Sequence, residues 1–135
     1  LNSCESVINT PVKINSTIQM NSTLYVLEMN NSTNKIMGIC KIINKNYNNQ
    51  KIKVYDQMCY NRYSYLGSKR IDRSNLNNIE KQIIRFFDRI CFKGKKHMKR
   101  GHGIQIISND FLHKTNKVVN LLNFFENMFI EKEIK

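Results

Sequence analysis

Lys93 to Gly103 reads KGKKHMKRGHG: four lysines, one arginine, two histidines and three glycines, with no carboxylate among them. A stretch this basic and this rich in glycine has no place in a core. It must be a surface loop, and it therefore fixes where the apolar segments on either side can pack. Its charge and its accessible backbone amides suit a polyanion.

The rest of the composition points the same way. The chain has 135 residues, 22 Lys and Arg against 10 Asp and Glu, and a formal net charge of +12. That length fits one compact domain able to bury its own core, so a single domain over 1–135 is expected, with 1–23 as a strand or a flexible arm. The positive excess favours anionic partners, nucleic acid first and an acidic membrane or an acidic protein next, and charge alone names none of them.

Other classes fare less well. Cys4, Cys40, Cys59 and Cys91 form no CxxC pair, so reduced core thiols are expected in place of zinc ligands or a redox pair. Asn15, Asn21, Asn30 and Asn31 open glycosylation sequons, but about one residue in seven is Asn, so such sequons arise by chance. No signal-peptide pattern stands at the start of the sequence. No apolar run approaches the roughly 20 residues of a membrane span, so no membrane partner and an intracellular setting are expected.

The elements follow from periodicity. Leu24–Met29 and Lys35–Ile43 are rich in β-branched and apolar residues and flank a polar turn, which predicts a hairpin. Gly38 within its second strand predicts a bulge or a place where another backbone or a ligand approaches closely. Lys51–Tyr55 predicts a further strand, and the span from Tyr60 to Ile71 another strand or an irregular ribbon.

Ser74 is the expected cap of a helix whose buried face carries Leu76, Ile79, Ile83, Phe87 and Ile90, with Lys81, Arg85 and Arg89 on another face. After the basic loop, Ile104–Ile107 predicts a short strand. Thr115 or Asn116 is the expected cap of a last helix with Val118, Leu121, Leu122, Phe125 and Phe129 as its stripe, fraying from Glu131 onward. The fold class is α+β, a small, mostly antiparallel β-barrel or curved sheet packed by two amphipathic helices.

Catalytic constellations are sparse. His97 and His102 lack a neighbouring carboxylate to orient them, and Asp56, Asp72, Asp88 and Asp110 are too scattered for two-metal chemistry. No catalytic residue, metal site or cofactor is assigned. The binding candidates are Arg85, Arg89, Lys93, Lys95, Lys96, His97, Lys99, Arg100 and His102 for phosphates. Tyr47, Tyr60, Tyr63 and Tyr65 are the candidates for stacking on a base.

The hairpin LYVLEMNNSTNKIMGICKI and the ending KRGHGIQIISNDFLHKTNKVVNLLNFF resemble the PUA-like superfamily, especially its YTH and EVE branches. The resemblance covers roughly residues 24 to 129. It implies a small β-barrel flanked by helices that binds RNA or DNA, with Tyr47 at a cage-like loop position and Lys99 and Arg100 against the phosphate backbone. The chain has no Trp, so the tryptophan cage that reads methylated adenine does not carry over. NRYSYLGSKRIDR and KGKKHMKRGHGI also resemble proteins of large cytoplasmic DNA viruses, which implies the cytoplasm of an infected cell or a virion. The expected function is a non-catalytic nucleic-acid-binding module. A viral structural protein with a basic surface and a His-assisted nuclease are the alternatives.

Overall fold

The computed structural model describes residues 6–10, 13–46, 63–101, 103–117 and 119–134. The backbone falls into two compact units, Leu1–Gln105 and Ile106–Lys135.

The first unit is built on a four-stranded, wholly antiparallel sheet. Its strands are β1 (Ser6–Thr10), β2 (Thr23–Asn30), β3 (Lys35–Asn46) and β4 (Tyr63–Asp72), in the order β1-β4-β3-β2. Among the described residues the sheet is open and does not close into a barrel. The expected hairpin is β2–β3. Its turn places Asn34 at a φ of 56°, a left-handed conformation that Asn tolerates better than most residues. The N-terminal segment, expected as a strand or an arm, supplies edge strand β1 against β4. The strand expected at Lys51–Tyr55 lies outside the described residues.

Gly38 stands beside the expected bulge. The β2–β3 register slips beside it, from Glu28↔Gly38 to Met29↔Ile36, leaving Met37 as the extra residue of a bulge. A Cβ at Gly38 would lie 2.6 Å from Nη2 of Arg70, so the glycine makes room for a guanidinium.

On one side of the sheet Ile14, Cys40, Ile42 and Tyr65 form a buried cluster, joined by Ile8, Ile18, Leu24, Val26 and Ile104. Each fully buried aliphatic or aromatic side chain is worth roughly 1.5–3 kcal/mol. The segment leading into β2 is pinned by Asn44, whose side-chain amide donates to the carbonyls of Ile18 at 3.2 Å and Gln19 at 3.1 Å. Asn44 is 5% exposed, and these bonds satisfy a polar group that would otherwise be costly to bury.

The helix α1 spans Asn78–Phe92 and lies against β3. It starts later than expected. Asp72 accepts from the N–H and Oγ of Ser74 at 3.0 and 2.6 Å, which commits Ser74 to a short 3₁₀ turn. Asn77 is the cap instead, in a reciprocal capping box with Glu80.

The buried face of α1 is rotated from the expected one as well. Glu80, Ile84, Phe87, Cys91 and Phe92 are buried, while Ile79 is 70% exposed and Ile83 and Ile90 are only half-buried. Leu76 and Phe87 are buried as expected, at 5% and 1% exposure. The capping box draws Glu80 inward, and Ile84 and Cys91 follow it at helical spacing.

Ile104–Ile107 is not a strand: Ile104 packs on the sheet's cluster, and the side chain of Gln105 donates to the carbonyl of Met98. Cys40 and Cys91 are buried and outside any disulfide among the described residues.

The second unit holds α2 (Asn109–Asn116) and α3 (Leu121–Ile134), two helices where one was expected. Asn116 does not cap the start of the last helix from one residue away. It ends α2, and its Oδ1 accepts from Leu121 N–H at 3.1 Å. Asn120 accepts from Asn123 N–H at the same distance and so bonds the first turn of α3. Leu121, Phe125, Met128 and Phe129 are buried, Leu122 is 57% exposed, and α3 continues through Glu131 without fraying there. Val118 lies outside the described residues.

Candidate nucleic-acid interface

The basic loop continues from the C-terminus of α1 and has a defined path. Lys93 caps the helix through its N–H to Arg89 O. Gly94 follows at a φ of 82° with open space around it, the left-handed residue that turns the chain away from the helix. Met98 N–H then returns to the carbonyl of Cys91 at 2.8 Å, folding the loop back onto the helix end. Gln105 closes it through Met98 O at 3.0 Å. Its side-chain amide lies in the space that a Cβ at Gly101 would take.

This scaffold places the candidate cations on one continuous stretch. Arg85 and Arg89 are exposed, one helical turn apart on α1, with Lys81 half-buried a turn before them. Lys93, Lys95, Lys96 and Arg100 are exposed, and Lys99 is half-buried. None of these forms an ion pair among the described residues. Arg70 and Arg73 differ, since each is engaged with carboxylates, Arg70 with Glu28 and Asp72 and Arg73 with Asp88. The arginines thus divide by role into those that hold the sheet together and those that face outward.

A cation or two at a helix C-terminus is ordinary compensation of the helix dipole, worth about 0.3–1 kcal/mol each. The run here extends well past the last turn, where that effect has decayed.

His97 is half-buried, and its Nδ1 accepts from Lys99 N–H at 3.2 Å, which leaves the ring proton on Nε2 in the neutral form. The bond orders the loop. No carboxylate bonds this ring among the described residues, and Asp72, Glu80 and Asp88 are taken up by structural bonds. Among the described residues no group of three or more His, Cys, Asp or Glu could hold a metal ion. His102 lies outside the described residues.

The tyrosine candidates are not brought together. Tyr47 and Tyr60 lie outside the described residues, and Tyr63 is in β4 with its side chain undescribed. Tyr65 is corrected: it is 1% exposed, packs in the sheet's cluster and accepts from Ile14 N–H at 3.0 Å through its hydroxyl, so no base can reach its ring. Burial of a tyrosine requires such a partner, and the segment before β2 supplies it. One aromatic that the sequence does not single out stands at the surface. Phe86 is 46% exposed on α1, although apolar residues flank it closely in sequence and disguise it as core.

No helix among the described residues is long and apolar enough to cross a membrane. Comparison with known proteins finds no matching family model, no matching curated protein and no matching solved structure.

Proposed function

We propose that this chain is a non-catalytic nucleic-acid-binding module that takes RNA in preference to DNA, in an intracellular setting. Phosphates lie along Arg85, Arg89, Lys93, Lys95, Lys96, Lys99 and Arg100, and His97 orders the loop between them. One observation carries the reading: between Arg85 and Arg100 these cations are exposed, Lys99 half-buried, and none is paired to a carboxylate among the described residues, while Arg70 and Arg73 are paired. Unpaired cations gathered at one helix end release counterions when a polyanion replaces them. A PUA-like ancestry for the sheet agrees with the antiparallel hairpin and the bulge beside its mid-strand glycine.

The test is binding of labelled single-stranded RNA, single-stranded DNA and duplex across a salt series, with wild type beside Lys96→Glu/Lys99→Glu/Arg100→Glu. The expected result is a steep fall of affinity with salt and collapse of binding in the triple variant. Equal, weak binding to all three polymers that survives the substitutions would overturn it.

A further inference from the structure

We infer that Lys81, Arg85, Arg89 and Lys93 form a ladder along α1 that receives successive phosphates of one unpaired, flexible strand; this rests on the reading of the basic stretch given above. The residues follow one another at intervals of four, the first three within α1 and the last as its C-cap. Helix geometry advances about 6 Å over each interval and sets the Cβ atoms about 5–6 Å apart, so the ladder is roughly 18 Å long.

Arg85, Arg89 and Lys93 are exposed and Lys81 is half-buried. Like charges four residues apart weaken a helix, and this helix sets three such pairs end to end. The helix dipole compensates Arg89 and Lys93 in the last turn, but not Lys81 and Arg85 further back. The carboxylates of α1 do not relieve them either. Glu80 accepts from Asn77 N–H in the capping box, and Asp88 holds Arg73 and the N–H of Ile36. A charge pattern that weakens its own helix and finds no carboxylate among the described residues suits a ligand that brings the anions.

The spacing says which ligand. Six covalent bonds separate successive phosphorus atoms of a nucleic-acid strand, twice the number between successive Cα atoms, which gives an extended strand a step of about 7 Å. The rungs of the ladder match that step, and the long, rotatable Lys and Arg side chains absorb the small difference.

A duplex fits less well. The phosphates of one of its strands advance only about 3.4 Å each along the axis while circling it, so a straight row of cations loses them after a step or two. An acidic α-helix would match the rungs, but the cations do not stop where α1 does. Gly94, at a φ of 82°, turns the chain off the helix axis, and Met98 N–H bonds back to Cys91 O at 2.8 Å. Lys95, Lys96, Lys99 and Arg100 thus carry the charge round a bend. A straight rod cannot follow it, whereas an unpaired strand can.

The experiment uses Gln82→Arg/Arg85→Gln, which exchanges two exposed residues and so removes the second rung at constant composition and net charge. Residue 82 lies about 60° round the helix from residue 85, off the row. Lys81→Gln/Gln82→Lys moves the first rung in the same way. Binding of single-stranded RNA, of duplex RNA of the same sequence and of an alanine-rich helical peptide with Glu at every fourth position is measured across a salt series. Wild type and Lys96→Glu/Lys99→Glu/Arg100→Glu are measured alongside.

Wild type is expected to bind the single strand more tightly than the duplex or the peptide. Each exchange is expected to make the log–log salt slope for the single strand shallower by about 0.7, the share of one phosphate. Thermal melts of the first exchange should be no lower than wild type, because two like-charge pairs are gone, so the lost affinity is not lost folding. Exchange variants that bind like wild type while the triple variant fails would overturn the ladder and leave the basic loop as the site. Duplex or peptide binding as tight as that of the single strand, or tighter, would overturn the assignment to an unpaired strand. If wild type binds none of the three at low salt, the ladder and the basic stretch fall together.

Discussion

Arg70 grips Glu28 across the full width of β3. Its Nε donates to both carboxylate oxygens, at 3.0 and 2.8 Å, and its Nη2 donates to Oε1 at 2.9 Å. The register explains the reach: Glu28, Gly38 and Asp72 stand in one row over β2, β3 and β4, and Gly38 contributes no side chain to block it. Nη1 of Arg70 meets Asp72 at 3.1 Å, so one guanidinium ties both neighbours of the central strand.

Gly38→Ala is therefore expected to destabilise the protein by about 1–2 kcal/mol through overpacking. The new Cβ would meet Arg70 Nη2 at 2.6 Å and the carbonyl oxygen of Ile71 at 3.1 Å. The guanidinium can swing away, but the carbonyl belongs to the sheet. In an Arg70→Ala background the same substitution should cost less, and urea denaturation of the four proteins in a double-mutant cycle measures the difference. Equal costs in both backgrounds would mean that the guanidinium plays no part.

Arg73 and Asp88 do for β3 what a longer β4 would have done. The β3–β4 pairing reaches only to Gly38↔Asp72, and at Ile36 the missing partner is replaced by side chains. Asp88 Oδ1 accepts from Ile36 N–H at 2.7 Å and Arg73 Nη1 donates to Ile36 O at 2.8 Å, while the two side chains pair at 2.8 Å. Asp88→Ala leaves the buried Ile36 N–H without its acceptor and the largely buried Arg73 guanidinium without its carboxylate, and should cost about 2–3 kcal/mol. Asp88→Asn keeps an acceptor for Ile36 and should cost roughly half as much. Chemical denaturation separates the two variants.

Asp72 links acid stability to the same region. Its side-chain bond from Ser74 Oγ, then the bond from Ser74 N–H, then Arg70, hold its pKa down from an ordinary 3.8 to about 2. A depressed carboxylate stabilises the fold fully above its ordinary pKa, and that contribution is lost as the pH falls from about 4 towards 2. Wild type should exceed Asp72→Asn in stability at pH 6, with the gap closing over that interval. Ser74→Ala should raise the Asp72 pKa, measured by carboxyl NMR titration. A gap that persists unchanged at pH 2 would contradict the assignment.

Cys91 is 2% exposed, and burial, reinforced by the charge of Asp88, pushes its thiol up to about 11. It is protonated and unreactive at neutral pH. With Cys4 and Cys59 replaced by serine, the folded protein should resist alkylation at pH 7.5, and Cys40 and Cys91 should both react once it is unfolded in urea. Rapid labelling of Cys91 in the folded state would show that this helix face opens.

Much of this was legible in the sequence, and the failures have identifiable causes. The β2–β3 hairpin and the bulge at Gly38 follow from β-branched runs around a polar turn, which admit few alternatives. The existence of α1 was legible, but its phase was not. The helix carries apolar residues over two adjacent arcs, Ile79–Ile83–Phe86–Ile90 and Ile84–Phe87–Cys91, and periodicity does not choose between them. The signal that chooses is Asn77 with Glu80 three residues on, a capping box that sets the start and draws a carboxylate inward. Tyr65 was misread because a strand tyrosine looks the same inside or outside, and its partner Ile14 lies far off in sequence. The cationic stretch was legible because glycine and unbroken positive charge exclude burial.

The division of the arginines supplies the last prediction. Arg85→Gln/Arg89→Gln removes two outward-facing cations from α1 without disturbing an ion pair among the described residues. Stability should therefore stay within about 0.5 kcal/mol of wild type, as exposed substitutions usually do. The slope of log affinity for single-stranded RNA against log salt should become shallower by about 0.7 for each phosphate that is no longer neutralised. Arg73→Gln should do the reverse, destabilising the fold while leaving the slope of the remaining folded protein as it was. Thermal melts and a salt titration on the two variants read both quantities. A double arginine variant that keeps the wild-type slope would remove α1 from the interface and confine it to the loop.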